Sequence, residues 1–444
     1  MRRSLVGTAV VLTTLLAVPA PVAWADHTDP REPQAPVDGS TSEADTRGDG
    51  TWRHIANFPG MASPALTGGG TDLEFFRPGR SQDVWGAFGT LGQDEAGSVG
   101  QRFIRLTKDG KVAPRWVADH GSAHCGTDNT SVTGLQHDTQ IAKRKGVTLL
   151  TDTTDALGRC HDPDGGGIEI VDVTKIQKKK FKPREVHLVR FAGYTHTNTV
   201  DKKRPWIVYN SSSDFANRNW IDVMDMRSCF GDRAWSLKKR RAECRPKVSR
   251  IQMKPAWTKQ KEDGELEPGS ATCHDITYRR GRLYCAALNS TVILDVRNIV
   301  NAKGRVRGER FPCKVVAGTD TRAKVTDCSG MEGDREERAR GWKLVGFVNH
   351  PGRDCEPTGD NRNCNSNLEV PSDEGVAVSH EADPTHDGRF MFVTDERGGG
   401  IVPPGASCGP SIDNPYGNGG MHAFDIRNPD RIRYARTPQG DKAV

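Results

Sequence analysis

Four histidines stand at equivalent positions of a repeated segment, and their type and spacing could support metal chemistry. The segments are HDTQIA, HTNTV, HDITY and HEADP, which begin at His137, His196, His274 and His380. In three of them the next residue is acidic, namely Asp138, Asp275 and Glu381. Imidazoles that converge from separate strands suit copper, zinc or iron, and the adjacent carboxylates would act as ligands or as partners of the ligands.

The same histidines also allow a structural interpretation. Side chains of a strand alternate between its two faces, so a histidine can point to a central channel while its acidic neighbour points into the sheet. Each pair would then hydrogen-bond to the backbone of the next repeat, as a clasp that recurs through the fold. Repetition favours this interpretation, because a single active site rarely needs the same residue in every repeat.

Each histidine segment is followed by two apolar segments, and the second of these carries an aspartate at its end. These are GGGIEIVDV, NWIDVMDM, STVILDV and GGMHAFDI, with Asp172, Asp225, Asp295 and Asp425. A unit that recurs in this order cannot bury its apolar face alone, so the sequence predicts an all-β fold, a propeller of four-stranded blades. An aspartate at a strand end accepts hydrogen bonds from the amides of the following turn, and we assign these four to structure.

Five blades can be traced, and the first holds Thr71 or Asp72 where the other four hold histidine. A further segment, TWRHIANFPG at residues 51–60, resembles the fourth strands EVHLVRFAG and KLVGFVNHPG. Propellers commonly close by completing one blade with strands from opposite chain ends, so residues 52–58 are predicted to form the outer strand of a final blade. This leaves a propeller shortened at its C-terminus by one or two blades, or a complete five-bladed ring with an additional N-terminal strand.

The first residues have the features of a secretory signal peptide, which we assign to residues 1–25. The chain starts with MRR, continues with an apolar stretch and reaches the small-x-small cleavage site Ala23-Trp24-Ala25. Residues 26–50 are rich in Pro, Asp, Thr and Ser and are predicted to be a disordered linker before the propeller at 51–444. Since no segment is apolar over the length of a membrane span, we expect a secreted or cell-surface protein.

An exported chain with eleven cysteines is expected to form disulfides. Local spacing favours the pairs Cys125–Cys160, Cys229–Cys244, Cys273–Cys285, Cys313–Cys328 and Cys355–Cys364. Four of these pairs close insertions between strands, and Cys273 and Cys285 would face each other across a hairpin. Cys408 is left over, which agrees with a missing partner strand. The spacings are unlike CxxC, so a structural zinc site is the weaker alternative.

The formal net charge is +6, and basic residues cluster at 178–184 and 238–247. Both runs lie between strands and are interpreted as solvated loops, with a weak attraction to anionic polymers of the cell envelope as an alternative. Nucleic acid is not an expected partner, because no aromatic residues interleave with these runs as a stacking surface would require.

The aspartate-ended strands also carry a family resemblance. EIVDV, VILDV and HAFDI, each downstream of a His-Asp or His-Glu strand, resemble the repeats of secreted bacterial LVIVD-repeat proteins. The resemblance covers residues 51–438 and implies an exported, disulfide-rich β-propeller from a group that largely lacks an assigned function. The chain departs from the pattern in its first repeat, which lacks the histidine, and at Thr197, which replaces the acidic neighbour.

Two functions from different classes fit these observations. The first is a binding or interaction module whose rim insertions contact an extracellular protein, polymer or small ligand, with no cofactor. The second is a metal-dependent enzyme, an oxidase or a hydrolase, that uses the channel histidines. The sequence contains no GxSxG elbow, HExxH motif, phosphate loop or dinucleotide fingerprint, so hydrolases, kinases and dehydrogenases of those types have no local support.

Overall fold

The computed structural model describes the strands of five sheets and their nearer connections. The described residues are 70–78, 83–90, 100–106, 115–121, 135–155, 167–178, 182–191, 195–212, 220–253, 273–287, 290–318, 323–331, 338–350, 376, 379–395, 420–438 and 440. The predicted signal peptide, the linker and the segment at 51–60 lie outside these ranges. The same holds for Cys125, Cys160, Cys355, Cys364 and Cys408.

Each sheet is built on an antiparallel meander of four strands that pair in chain order. Blade one contains β1 (Gly70–Phe76), β2 (Val84–Thr90), β3 (Gly100–Leu106) and β4 (Arg115–Gly121). Blade two contains β5 (Leu135–Arg144), β6 (Val147–Asp155), β7 (Gly167–Asp172) and β8 (Arg184–Phe191). Blade three contains β9 (Thr195–Val200), β10 (Ile207–Ser212), β11 (Trp220–Asp225) and β12 (Lys247–Gln252).

The remaining two blades follow the same plan. Blade four contains β13 (Asp275–Arg279), β14 (Arg282–Ala286), β15 (Ser290–Asp295) and β18 (Lys343–Asn349). Blade five contains β19 (Ser379–Pro384), β20 (Phe390–Asp395), β21 (Gly420–Asp425) and the short β22 (Arg433–Tyr434). Five four-stranded blades in succession confirm the predicted all-β propeller.

Apolar side chains form one core cluster between each blade and the next. The clusters include Trp85 with Leu150, Phe191 with Val208, Tyr209 with Leu283, and Ile293 with Met391. Every residue of β11 and of β15 is buried, because these third strands are covered by neighbouring blades on both faces. The apolar runs of the repeat are therefore contacts between blades.

The aspartates at the ends of the third strands act as predicted. Asp225, Asp295 and Asp425 each accept a hydrogen bond from the backbone N–H two residues later, at distances of 3.1, 2.9 and 3.1 Å. In all three turns that later residue is an arginine whose guanidinium pairs with the same carboxylate. The carboxylate thus fixes the turn and orients the arginine beside it.

An insertion between β15 and β18, which we call the strap (residues 297–342), links blade four to two other blades. Its hairpin of β16 (Lys314–Val316) and β17 (Lys324–Cys328) extends the sheet of blade two, where β17 pairs in parallel with β8. On the way it contacts the outer strand of blade three, since Phe311 N donates to Val248 O at 2.8 Å. The strap covers the outer edges of two blades that would otherwise be open for pairing.

Three of the five predicted disulfides fall on described residues, and all three are present. They are Cys229–Cys244, Cys273–Cys285 and Cys313–Cys328. Cys273–Cys285 spans the β13–β14 hairpin as expected, and Cys313–Cys328 closes the hairpin of the strap. Each therefore fixes a local loop.

The basic run at 238–247 is more than a solvated loop, contrary to the sequence prediction. Blade three contains two short helices there, α1 (Arg227–Phe230) and α2 (Leu237–Glu243). Arg240 of α2 is 1% exposed, and its Nε lies 2.9 Å from Asp172 Oδ2 at the end of blade two. Its remaining donors reach the backbone carbonyls of Cys229, Phe230 and Asp232. None of the helices that the structure describes is long and apolar enough to cross a membrane.

Replacing Arg240 with alanine should destabilise the propeller by about 3–5 kcal/mol, because the change removes the ion pair with Asp172 and three buried hydrogen bonds to backbone carbonyls. Equilibrium unfolding in urea measures this difference. Lys238→Ala, an exposed change in the same helix, is the matched control and should stay within about 0.5 kcal/mol of the unchanged protein. Equal stabilities of the two variants would contradict the link between blades two and three.

Candidate axial site

The first strands of consecutive blades lie side by side, so their polar residues meet near the axis of the propeller. β1 contacts β5, β5 contacts β9, β9 contacts β13, and β13 contacts β19. The histidine segments begin these strands, which brings equivalent side chains of neighbouring blades close together. We call the group formed by His196, His274, His380, Asp72, Asp138, Asp275 and Glu381 the axial site.

Three of the four predicted histidines are in contact. His196 Nε2 lies 3.1 Å from His274 Nε2, and the two rings meet edge to face with centroids 4.3 Å apart. The ring of His380 lies 4.5 Å from that of His274. His137 occupies the corresponding position of β5, but its side chain lies outside the described residues. Imidazoles of blades three, four and five therefore form one continuous group.

The geometry indicates which nitrogens carry protons. His274 Nδ1 lies 3.3 Å from the carbonyl oxygen of His380, so Nδ1–H can donate there. A neutral His274 then has its lone pair on Nε2, where it accepts a hydrogen bond from His196 Nε2–H. Burial lowers the pKa of His380 to about 4, and His196 nearby adds to that effect. His380 is therefore neutral at physiological pH.

Four first strands also bring carboxyl groups to the axial site. Burial raises the pKa of Asp138 well above its usual range, and the charges of Asp72 and Asp275 add to the rise. Burial raises the pKa of Asp275 to about 6. Glu381 is raised further, to about 8, by burial and then by Asp275 and Asp383. Near neutral pH Asp275 is mostly ionised and Glu381 is mostly protonated. One carboxyl group therefore carries a negative charge while the other is neutral.

Hydroxyl groups on the second strands link the first strands of neighbouring blades. Thr153 Oγ1 accepts from Asp138 N at 3.1 Å and donates to His196 O at 2.6 Å. Ser211 Oγ accepts from Thr197 N at 3.1 Å and donates to His274 O at 3.0 Å. These links form a blade-to-blade clasp in which the histidines contribute backbone carbonyls.

The clasp also includes one of the acidic neighbours. Asp138 accepts a hydrogen bond from the backbone N–H of Asn198 in the next blade, and Asn198 Nδ2 donates to Asp138 O at 3.0 Å. The hydroxyl residues did not emerge from the sequence. Thr153, Ser211 and Thr394 are equivalent, because each accepts a hydrogen bond from the backbone N–H of the residue that follows the histidine. In the sequence they lie near the ends of the second strands, in TLLTDTT, IVYNSSS and MFVTDE.

Metal binding by the four histidines stays a prediction. Among the described residues, no group of three or more His, Cys, Asp and Glu side chains is arranged to hold one metal ion. His196 and His274 offer two facing nitrogens, and the ring of His380 is tilted by 45° against that of His274.

Comparisons with known proteins do not assign this chain to a family. No protein-family model matches the sequence, and no curated protein matches it. Solved structures that are similar include the β-propeller domain of Cps50 (Swd1) from Myceliophteria thermophila, at 7% identity and a TM-score of 0.30 over 83% of this chain and 88% of that one.

Two enzymes are among the other similar structures. An α-L-arabinanase of Cellvibrio cellulosa has 9% identity and a TM-score of 0.32 over 84% of this chain and 93% of that one. The periplasmic gluconolactonase of Pseudomonas aeruginosa has 10% identity and a TM-score of 0.32 over 80% and 86%. At these identities and scores, no activity is carried over to this chain.

The raised pKa of Glu381 predicts a pH-dependent stability. A carboxyl group whose pKa rises from 4.5 to about 8 on folding resists ionisation, so its contribution to stability is lost as the pH increases towards 8. We expect the free energy of unfolding to fall between pH 6.5 and 8, and to fall less in Glu381→Gln. Urea unfolding across this range checks it.

Glu243→Gln, an exposed change on α2, is the control. Its free energy of unfolding should change with pH as steeply as that of the unchanged protein. A slope that Glu381→Gln leaves unaltered would show that Glu381 ionises as freely in the folded state as in the unfolded one.

Proposed function

We propose that this protein is an exported binding protein that takes a positively charged ligand at the axial site. The supporting observation is that the first strands of four blades bring carboxyl groups to the axis, where burial opposes their ionisation and nearby acids add to this effect at Asp138, Asp275 and Glu381. A cation that enters the site would favour the ionised form of these groups, so that the protonated carboxyl groups release their protons on binding. The three disulfides support an oxidising, extracytoplasmic location.

The charges near the site favour a cation over an anion. Lys202 is the basic residue whose charge acts on Asp72, and its ammonium group lies 2.9 Å from Glu74 Oε1, so it is already paired. His380 is neutral at physiological pH. Among the described residues at the axis, acidic groups thus outnumber basic ones, and the rim insertions are proposed to supply the remaining contacts of an extracellular ligand.

Isothermal titration calorimetry with Zn²⁺, Cu²⁺ and 1,4-diaminobutane as separate probes tests this proposal at pH 6.5. We expect binding with proton release, which appears as a heat that changes with the ionisation enthalpy of the buffer. Asp275→Asn should weaken binding about tenfold, equivalent to about 1.4 kcal/mol. Binding of Zn²⁺ or Cu²⁺ alone would indicate a metal ion as the ligand, whereas binding of 1,4-diaminobutane alone would indicate an organic cation.

Glu243→Gln again serves as the control and should bind as the unchanged protein does. The titrations are made in two buffers that differ in ionisation enthalpy. If no probe binds, or if the binding heat is the same in both buffers, the axial site is not a cation site and the proposal fails.

The facing nitrogens of His196 and His274 favour a metal-dependent enzyme as the second candidate. Two nitrogens bound to one ion at about 2.0–2.1 Å are at most about 4.2 Å apart, and the observed 3.1 Å lies within that limit. Metal analysis of the purified protein tests this candidate. Stoichiometric copper, zinc or iron that is lost in His274→Ala and kept in His386→Ala, an exposed histidine, would support it. Protein without stoichiometric metal would remove it.

A further inference from the structure

The turns between the first and second strands of blades two, three and four form a basic surface, which we call the hairpin surface. It consists of residues 143–146, 201–204 and 279–282. Nine of these residues are Lys or Arg, and one is acidic, Asp201. Asp201 is buried and serves its own turn, because its Oδ1 accepts from two backbone N–H groups of that turn at 2.9 and 3.0 Å. The charge that this surface presents to solvent is therefore positive.

Direct contacts hold the three turns side by side. The guanidinium group of Arg144 in blade two lies 4.8 Å from the ring centroid of Trp206 in blade three. Arg204 in blade three donates to Val296 O in blade four at 3.3 Å. Val296 N in turn donates to Gly281 O, in the turn between β13 and β14, at 2.8 Å. The three turns thus form one continuous surface.

Most cations of the hairpin surface have no carboxylate partner. Lys202 pairs with Glu74, and Arg204 pairs with Asp201. Among the described residues, no carboxylate forms an ion pair with the other seven basic residues of this surface. The exposed members of these seven are Lys143, Lys145, Lys203 and Arg280. Like charges that are held together without partners repel one another, and an anionic ligand would remove this repulsion.

Two of the exposed cations occupy a backbone conformation that is unfavourable for them. Lys145 has a φ of 49° and precedes Gly146 with 75°, and Arg280 has a φ of 50° and precedes Gly281 with 82°. Both are two-residue hairpin turns, for which Asn-Gly and Asp-Gly are the preferred pairs. No other non-glycine residue that the structure describes has a positive φ. The geometry of the turns therefore does not explain why both tips carry a basic side chain.

The hairpin surface is separate from the axial site and from the basic runs at 178–184 and 238–247. The axial histidines lie near the starts of the first strands, whereas the turns follow the ends of these strands. In blade three, His196 and Asp201 are five positions apart, which corresponds to roughly 16 Å at about 3.3 Å per residue. Binding at the hairpin surface thus does not depend on the cation proposed for the axial site.

We propose that the hairpin surface binds a linear phosphodiester polymer without nucleobases. Five of its nine basic residues are arginines, and the guanidinium group binds phosphate through two parallel hydrogen bonds. Packed sheets are about 10 Å apart, so three neighbouring turns span roughly 20 Å and match several phosphates in a row. The hairpin surface contains no aromatic residue on which bases could stack, and this favours a polymer without bases over single-stranded nucleic acid.

Isothermal titration calorimetry of the full chain with poly(glycerol phosphate) tests the proposal. We expect the affinity to fall steeply between about 50 and 200 mM salt, because each neutralised phosphate releases counterions. In Lys145→Asn/Arg280→Asn the affinity should fall about tenfold, and the slope of log affinity against log salt should become shallower by about one to two. Asparagine accepts the left-handed conformation, so this variant should be at least as stable in urea as the unchanged protein. Weaker binding without lost stability separates a binding defect from a folding defect.

Lys314→Gln/Arg436→Gln, which removes two exposed charges from the strap and from blade five, is the matched control and should bind as the unchanged protein does. Equal losses in the two variants, or an unchanged affinity in Lys145→Asn/Arg280→Asn, would overturn the proposal. Glycerol 3-phosphate and an oligothymidylate with the same number of phosphates are the comparison probes. Equally tight binding of the monomer would indicate a single phosphate site, and tighter binding of the oligonucleotide would indicate a nucleic-acid site. Either result would also overturn the proposal.

Discussion

Blades two, three and four each have two apolar faces, and a neighbouring blade covers each of these faces. Burial contributes about 25 cal/mol per Å² of apolar surface, so the clusters between blades are the main source of stability. The fully buried β11 and β15 show how completely the neighbours cover a third strand. Leu73 and Phe75 of blade one and Phe392 and Met421 of blade five are exposed, and none of them belongs to the clusters that the described residues form.

Stacking the blades also creates the axial site. Covering both faces of every sheet forces the first strands together, and polar side chains that were far apart in the chain then lie within hydrogen-bond distance. Thr153 and Ser211 satisfy the backbone groups at this junction. The imidazoles and carboxyl groups are left to contact one another, which is why burial and repulsion govern their protonation.

The repeat predicted the blades, the turn aspartates and three disulfides, because each depends on local pattern or spacing. It did not predict the strap, whose β17 pairs with a strand about 140 residues earlier, since no local signal encodes that partner. The burial of Arg240 was missed for a similar reason. A run of charges is ordinarily solvated, and only the fold places the Asp172 carboxylate within reach of this one arginine.

The histidine contacts were predicted in outline, and their geometry could not be. Alternation along a strand suggested that acids would point away from histidines, yet Asp138 and Asp275 interact with equivalents in other blades. The pairing of β5, β9 and β19 with their second strands is irregular at this point, and such a bulge interrupts the strict alternation of side chains. The convergence of both residue types follows from the packing of five short strands.

Blade three shows that the fold accepts a hydroxyl group where other blades have an acid. Thr197 occupies this position and is accommodated there, because its hydroxyl group donates to Ser211 Oγ at 2.6 Å while Ser211 donates to the carbonyl of His274. A buried carboxyl group whose ionisation is opposed lowers stability at neutral pH, whereas the threonine carries no such cost. The fold therefore does not require an acid at this position in every blade, although Asp138 takes part in the clasp through Asn198. The proposed binding of a cation would give these acids a role beyond folding, because a cation would favour their ionised form.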